Sequence, residues 1–369
     1  VTAGDRALAL LSEGAREGAW PAAVLLAARG DEVLFRGTAG YGRDDSVFDV
    51  ASLTKPLVAI LFFSLVQQGV LEPEGFLRDA LPGTAFSPGG EAIRFRHLLS
   101  HTSGLPAWRP FHEELAAEEG EGAEAPRGAA EAYERVVALA AASPLEHPPG
   151  EGWRYSDLGY ILLGRAVEWG GFHGLDRLLA RHVLAPLGMA DTAFLPPGRP
   201  LPFGEERIVP TGWSEVRGRE KRGEVDDENC AAVGGVAGHA GLFSTADDLD
   251  RFAREVRRAA AGEGRVLLPR WARRMTERVA GPAGCPRTEG FDTPTPAEGA
   301  PSQAGEGYPP GTVGHLGYTG CSLWFDPAPG GATVVLLTNR VAAREGKRDL
   351  IRKYRPAIHT AAWEALAGR

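Results

Sequence analysis

Leu57 to Val66 is the most apolar stretch of the chain, broken only by Ser64. A helix apolar on all sides has to be enclosed by protein, and this run is too short to cross a bilayer. The fold must therefore build a large core around it. Pro56 marks where the helix starts, because proline is tolerated in the first turn, where the N–H groups are unpaired anyway. The residues just ahead, Ser52-Leu53-Thr54-Lys55, then stand at the mouth of a buried helix. The positive end of a helix favours a developing alkoxide. A desolvated lysine can give up its proton, which arginine cannot. The chain has four lysines against 36 arginines, so a chance Ser-x-x-Lys is uncommon, yet one match alone carries little weight. Pro56 also pushes Lys55 away from helical geometry, so spacing by itself does not establish a Ser52–Lys55 contact.

The 369 residues suffice for two domains, or for one large domain with an inserted lobe. A net charge of −8 argues against nucleic acid or an anionic membrane surface as the main partner. Cys230, Cys285 and Cys321 are scattered and form no Cys-x-x-Cys, so neither a disulfide framework nor a zinc site is indicated. Val1 to Gly18 lacks a basic region followed by an apolar core, so no signal peptide is visible. The expected location is cytoplasmic for the chain as it stands, or periplasmic or secreted if its start has been trimmed. No membrane span is expected, and nothing in the sequence fixes an oligomeric state.

Strand and helix signals are unevenly distributed. Arg6 to Arg16 has the spacing of an amphipathic helix, and Pro21–Ala28 and Glu32–Gly37 read as a hairpin turning at Gly30-Asp31. Near the other end, Cys321–Phe325 and Ala332–Thr338 read as strands, and Lys347–Leu366 as a closing helix with a kink at Pro356. Between them the signal is mostly helical: Leu57–Gln67, Ala129–Ala142, Gly159–Glu168 and Leu175–Leu184. We therefore expect an α+β fold, with an antiparallel β-sheet flanked by helices and an inserted mainly helical domain. Residues 1–55 and 210–369 would form the discontinuous sheet domain and 56–209 the helical one, with the active site at their interface. The acidic segment Glu113–Glu134 reads as a solvated surface. The long stretches Pro196–Asn229 and Gly281–Gly311 read as lids or disordered loops.

Three further segments can carry chemistry. Tyr155-Ser156-Asp157 leads into an apolar helix; a neighbouring ammonium would lower the phenol's pKa and make Tyr155 a base. Gly314-His315-Leu316-Gly317-Tyr318-Thr319-Gly320 precedes a strand, and its glycines permit close approach of backbone to a ligand. Gly234 to Gly241 contains His239 and precedes a helix with Ser244 as the expected N-cap. Its glycines do not follow a strand as a nucleotide loop requires, which argues against phosphate binding.

Together these segments resemble the β-lactamase and D-alanyl-D-alanine carboxypeptidase-like serine hydrolases, the superfamily of class C β-lactamases and related esterases. Ser52 to Lys55 fits the Ser-x-x-Lys motif, Tyr155 to Asp157 the Tyr-x-Asn position and His315 to Gly317 the Lys-Thr-Gly position. His97 to Leu105, Pro186 to Met189 and Gly241 to Thr245 also look like recurrent family segments. The resemblance implies that Ser52 attacks a carbonyl and forms an acyl-enzyme, with Tyr155, tuned by Lys55, as the base. It implies an oxyanion hole from the backbone N–H groups of Ser52 and Tyr318. Asp157, His315, Gly317 and Tyr318 would face the substrate, with His239 as a further candidate. It implies neither metal nor cofactor. The partner would be a small acyl substrate: an ester, a peptide or a β-lactam.

Two departures matter. Asp157 stands where the family has Asn, and an aspartate there would pair with Lys55 and make the amine a poorer base. His315 and Leu316 remove the permanent charge and the hydroxyl that the resemblance would turn toward a substrate carboxylate, so an ester or another small acyl compound fits better. The expected function is ester or amide hydrolysis, esterase-like or D-alanyl peptidase-like, with weak β-lactamase activity behind it. The alternative is a weak or inactive penicillin-binding-like protein that holds cell-wall-type ligands. A Ser-His-Asp hydrolase of α/β type would need a Gly-x-Ser-x-Gly elbow, which the chain lacks.

Overall fold

A computed structural model describes residues 2–119, 128–215, 217–296 and 301–368. The elements that position the site are α1 (Ala3–Glu17), β1 (Ala22–Arg29), β2 (Glu32–Gly40), α2 (Thr54–Gln67), α3 (Asp157–Gly171), α4 (Ala246–Ala261), β3 (Val313–Leu316), β4 (Ser322–Phe325), β5 (Ala332–Thr338) and α5 (Ile351–Leu366). The five strands form one antiparallel sheet in the order β2-β1-β5-β4-β3. Its two central strands come from opposite ends of the chain, with Val24 opposite Leu337 and Leu26 opposite Val335.

Alternation along the strands divides the interior. Val24, Leu26, Val335, Leu337 and Leu323 face one core, which also takes in α2, α3 and α4. Leu25, Ala27, Val334, Leu336 and Trp324 face another, closed by Leu11 of α1 and Tyr354, Ile358 and Trp363 of α5. A strand buried on both faces reads as a continuous apolar run, which is why β1 and β5 carry little polar alternation. In α2 every residue from Thr54 to Val66 is buried. It packs against α3, the helical segment Leu175–Leu184 and the helix Pro269–Thr276, as its uniform hydrophobicity demands.

Local signals set several boundaries. Thr2 and Asp5 form a capping box at the start of α1, and Gly18 ends it in the left-handed conformation that glycine adopts freely. The cap of α4 corrects the sequence expectation. Thr245, not Ser244, accepts the Asp248 N–H, because Ser244 belongs to a short strand, Leu242–Ser244, paired with Phe48–Asp49. Leu175–Leu184 is α-helical to Leu179 and then widens into a π-turn. In the acidic segment, residues up to Glu119 continue a helix from Phe111; residues 120–127 of that segment lie outside the described part. The stretch before β4 contains a strand of its own, β3 at the sheet edge. The two long stretches are largely irregular, holding a small hairpin, Trp213–Ser214 with Arg219–Glu220, and the short helix Glu228–Ala232.

Candidate active site

Ser52 sits in a single 3₁₀ turn, Ala51–Leu53, that runs directly into α2. The turn is fastened from three sides. Val50 N–H donates to Leu242 O at 3.0 Å. The Thr54 hydroxyl donates to Ala51 O at 2.7 Å and accepts from Leu242 N–H at 3.2 Å. The buried Asp49 carboxylate accepts from Ala51 N–H at 2.8 Å and from Asp226 N–H at 2.7 Å. These ties hold Ala51 at φ 48°, a conformation that costs a residue with a β-carbon about 1 kcal/mol or more. Burial, reinforced by Asp226, pushes the Asp49 carboxyl up to about 7 against the backbone donors.

Lys55 is fully buried, and its Nζ lies among oxygens. It donates to Ser52 Oγ at 2.9 Å and to His239 O at 2.8 Å, and it meets Asp157 Oδ1 at 2.6 Å. The Tyr155 ring centroid is 5.0 Å from Nζ, and the phenol interacts with both Lys55 and Ser52. Burial works against the ammonium, but the Asp157 carboxylate and the Tyr155 phenol outweigh it and raise Lys55 above its ordinary value. The Ser52–Lys55 contact, which spacing alone left open, forms, and so does the expected Lys55–Asp157 pair. The expected lowering of Tyr155 does not appear. Lys55 pulls the phenol down, but burial is the larger effect and Asp157 adds to it, so its pKa lies above the usual value.

His101 shapes the Tyr155 loop. Its carbonyl accepts from Arg154 N–H at 2.9 Å and its Nδ1 from Ser156 N–H at 3.1 Å. Its ring lies 4.5 Å from that of Tyr155, centroid to centroid. Ser156 then caps α3 by accepting from Gly159 N–H, and Asp157 N–H is tied to Ala107 O at 2.8 Å. His101 is a bracket for the Tyr155 loop, with burial holding its imidazole well below its ordinary pKa and so neutral.

Edge strand β3 and its turn supply the facing wall. Gly317 lies so close to the Ser52 turn that a β-carbon there would come within 2.5 Å of Val50 O. The following residue, Tyr318, is 62% exposed, and its carbonyl accepts from Arg340 Nε at 2.6 Å. Buried His315 is also neutral, chiefly because of burial and then of Lys55. Its Nδ1 lies 2.9 Å from Leu316 O and must be the protonated nitrogen, which leaves Nε2 as a buried acceptor. His239 enters differently from expectation. Its carbonyl reaches Lys55, while its imidazole pairs with Asp227 at 2.9 Å. Burial opposes the Asp227 charge, but His239 and the Cys230 N–H hold the carboxyl down to about 2.

Two neighbours escaped the sequence reading. Asp227 and Arg287 both come from stretches set aside as long loops. Arg287 stacks over the Tyr155 ring with its guanidinium carbon 5.2 Å from the centroid. The available signal was the length of those loops, which is uncommon without a function.

Residues 8–355 match the family model described as Beta-lactamase. The chain belongs to the β-lactamase family. Within that family it is 32% identical over 376 residues to Esterase EstB of Burkholderia gladioli, covering 90% of this chain and 89% of that protein. It is 28% identical over 319 residues to an Escherichia coli K12 protein provisionally named a D-alanyl-D-alanine carboxypeptidase, covering 80% and 69% respectively. Among solved structures it resembles EstCE1, described as a hydrolase with promiscuous acyltransferase activity, with a TM-score of 0.69 at 23% identity and 98% coverage of both chains. The β-lactamase-family placement makes the chain a hydrolase of that superfamily, with its mixed helix and antiparallel-sheet fold.

Proposed function

We propose that this chain is a serine hydrolase that cleaves small ester or amide substrates through an acyl-enzyme on Ser52. The observation that carries the reading is the 2.9 Å contact between Ser52 Oγ and a fully buried Lys55 that also engages Tyr155. Serine is a poor nucleophile until a base reaches it. Loss of one proton from the coupled Lys55–Tyr155 pair yields that base, with the phenolate form held beside the ammonium. Ser52 Oγ attacks the substrate carbonyl as its proton passes to Tyr155. The leaving alcohol or amine takes this proton as its bond to the acyl carbon breaks. Water, deprotonated by Tyr155, then attacks the acyl-enzyme, and Ser52 regains a proton as the acid departs. The N–H groups of Ser52 and Tyr318 receive the oxyanion, and Asp157, Gly317 and His315 line the substrate side.

The charges favour a neutral substrate. His315 offers a lone pair instead of a charge, Lys55 is matched by Asp157 and Arg287 by Asp292. An ester therefore suits the site better than a β-lactam or a peptide ending in a carboxylate. The Lys55–Asp157 pair also favours a second reading, a weak or inactive penicillin-binding-like protein, because it holds the amine protonated. Intact-protein mass during hydrolysis of a short-chain p-nitrophenyl ester tests the choice, with Ser52→Ala beside the unmodified chain and penicillin in parallel. An acyl adduct and turnover that both depend on Ser52 are expected. Absence of both an adduct and a Ser52-dependent rate with either compound overturns the catalytic reading.

A further inference from the structure

Arg287 belongs to a tight hairpin within the stretch Gly281–Gly311. Thr288 and Phe291 close its turn through hydrogen bonds in both directions. Thr293 N–H donates to Pro286 O, and Asp292 exchanges backbone hydrogen bonds with Gly314 at 2.8 and 3.0 Å. The hairpin is thereby zipped onto the edge of β3, next to His315. Arg287, 12% exposed, is ion-paired with Asp292. Its guanidinium carbon lies 5.2 Å from the Tyr155 centroid and 5.8 Å from that of Trp153.

The charges facing Tyr155 come from several elements. From α2 comes the Lys55 ammonium, and from the start of α3 the Asp157 carboxylate that compensates it. His101 and His315 are neutral at physiological pH, as is Tyr160, which packs on His101. From the hairpin comes Arg287, with Asp292 as its counter-charge. Arginine stays charged even where burial lowers its pKa, and a cation over an aromatic face favours negative charge in that ring system.

We propose that Arg287 is a positioning residue for the general base: its guanidinium, stacked on the Tyr155 ring, supplies the second positive charge that stabilises the phenolate. The hairpin thus brings to the site, from a different part of the chain, a permanent charge that β3 lacks at His315. The inference rests on the reading of Tyr155 as the base.

The test compares the full chain with Arg287→Gln and Arg287→Lys. The rate at which an alkyl fluorophosphonate labels Ser52 is followed against pH, and tyrosinate absorbance is titrated as a difference from Tyr155→Phe. Loss of the charge is expected to move the acid limb and the Tyr155 titration upward by about one pH unit. That makes labelling about tenfold slower below the limb with an unchanged plateau, and Arg287→Lys restores most of it. Asp292→Asn, which removes the counter-charge, is expected to move both downward, and it carries the test should Arg287→Gln not fold. Unmoved limbs, or equal losses in the Gln and Lys variants, overturn the proposal in favour of a packing role. If the unmodified chain is not labelled on Ser52, the catalytic reading fails, while the tyrosinate titration still decides what Arg287 does to Tyr155.

Discussion

Replacing Asp157 by asparagine should make this site a better base at neutral pH while making the protein less stable. The carboxylate touches an ammonium with no solvent exposure, at 2.6 Å, and is itself 18% exposed. It raises Lys55, and it adds to the burial that raises Tyr155. Both effects keep the proton on the pair that must lose one. A contacting charge moves a pKa by about one to three units, and the partial exposure of Asp157 favours the low end through solvent screening. The acid limb of kcat/KM for Asp157→Asn should therefore fall by about one pH unit, about 1.4 kcal/mol in the protonation equilibrium and about tenfold in rate below the limb. The amide oxygen still accepts from Nζ, so the plateau should stay near its original height. Stability moves the other way, because a buried ammonium loses its counter-charge. The loss should be about 2 kcal/mol, the scale of a hydrogen bond to a charged group, read as a lower urea midpoint at unchanged m. The assay is ester hydrolysis followed by acid release from below neutrality to alkaline pH. A limb that stays in place or rises refutes the view of Asp157 as a brake on the base.

Other consequences are open to direct measurement. Because Tyr155 and Lys55 both lie above their ordinary values, Ser52 labelling by a fluorophosphonate should keep accelerating from pH 7 toward pH 10; a plateau already at pH 7 would contradict that. Gly317→Ala places a β-carbon 2.5 Å from Val50 O and must displace the turn that carries Tyr318 N–H. It should lower kcat by about 100-fold or more, as loss of an oxyanion donor does, with a smaller change in KM. Thr54→Val removes the hydroxyl bonded to Ala51 O and Leu242 N–H, and should cost about 1–3 kcal/mol in denaturant unfolding because it takes the hydroxyl acceptor from the buried Leu242 N–H. Asp49, raised to about 7 in the fold, binds its proton more tightly there than in the unfolded chain. Its stabilising effect is complete below the ordinary carboxylate range and is lost as pH rises to about 7. Asp227, held at about 2, has the opposite sign and loses its contribution as pH falls from about 4 toward 2. Asp49→Asn should flatten Tm against pH between about 4 and 7 without touching the acid limb of the curve.

What could be read from the sequence was what local chemistry writes into consecutive residues. The hairpin of β1 and β2 turns at Gly30, the apolar run of α2 is enclosed as such a run must be, and Ser52, Lys55, Tyr155 and Asp157 come together. The motifs allowed this because each lies at a junction where a helix or strand begins, and such junctions carry glycine, proline and capping signals. The pairing of β1 with β5 was less accessible, since it joins residues more than 300 positions apart. Edge strand β3 was hidden because glycines at 314 and 317 look like a loop, although their lack of side chains is what lets the backbone approach the hairpin and the Ser52 turn. Charge balance was the least legible part. Reading His315 and Leu316 in place led to a wall without permanent charge, yet Arg287 returns one from a stretch with no helix or strand pattern, held by backbone hydrogen bonds to Gly314. The site's electrostatics therefore belong to the arrangement of segments as much as to the motifs. On the proposed mechanism, Asp157 would restrain the base from the helix side and Arg287 would support it from the sheet side. If both assignments hold, Asp157→Asn and Arg287→Gln move the same acid limb in opposite directions. Since both act on the same Tyr155, the double variant should place the limb between those of the single variants, and its departure from their sum measures the coupling of Asp157 and Arg287.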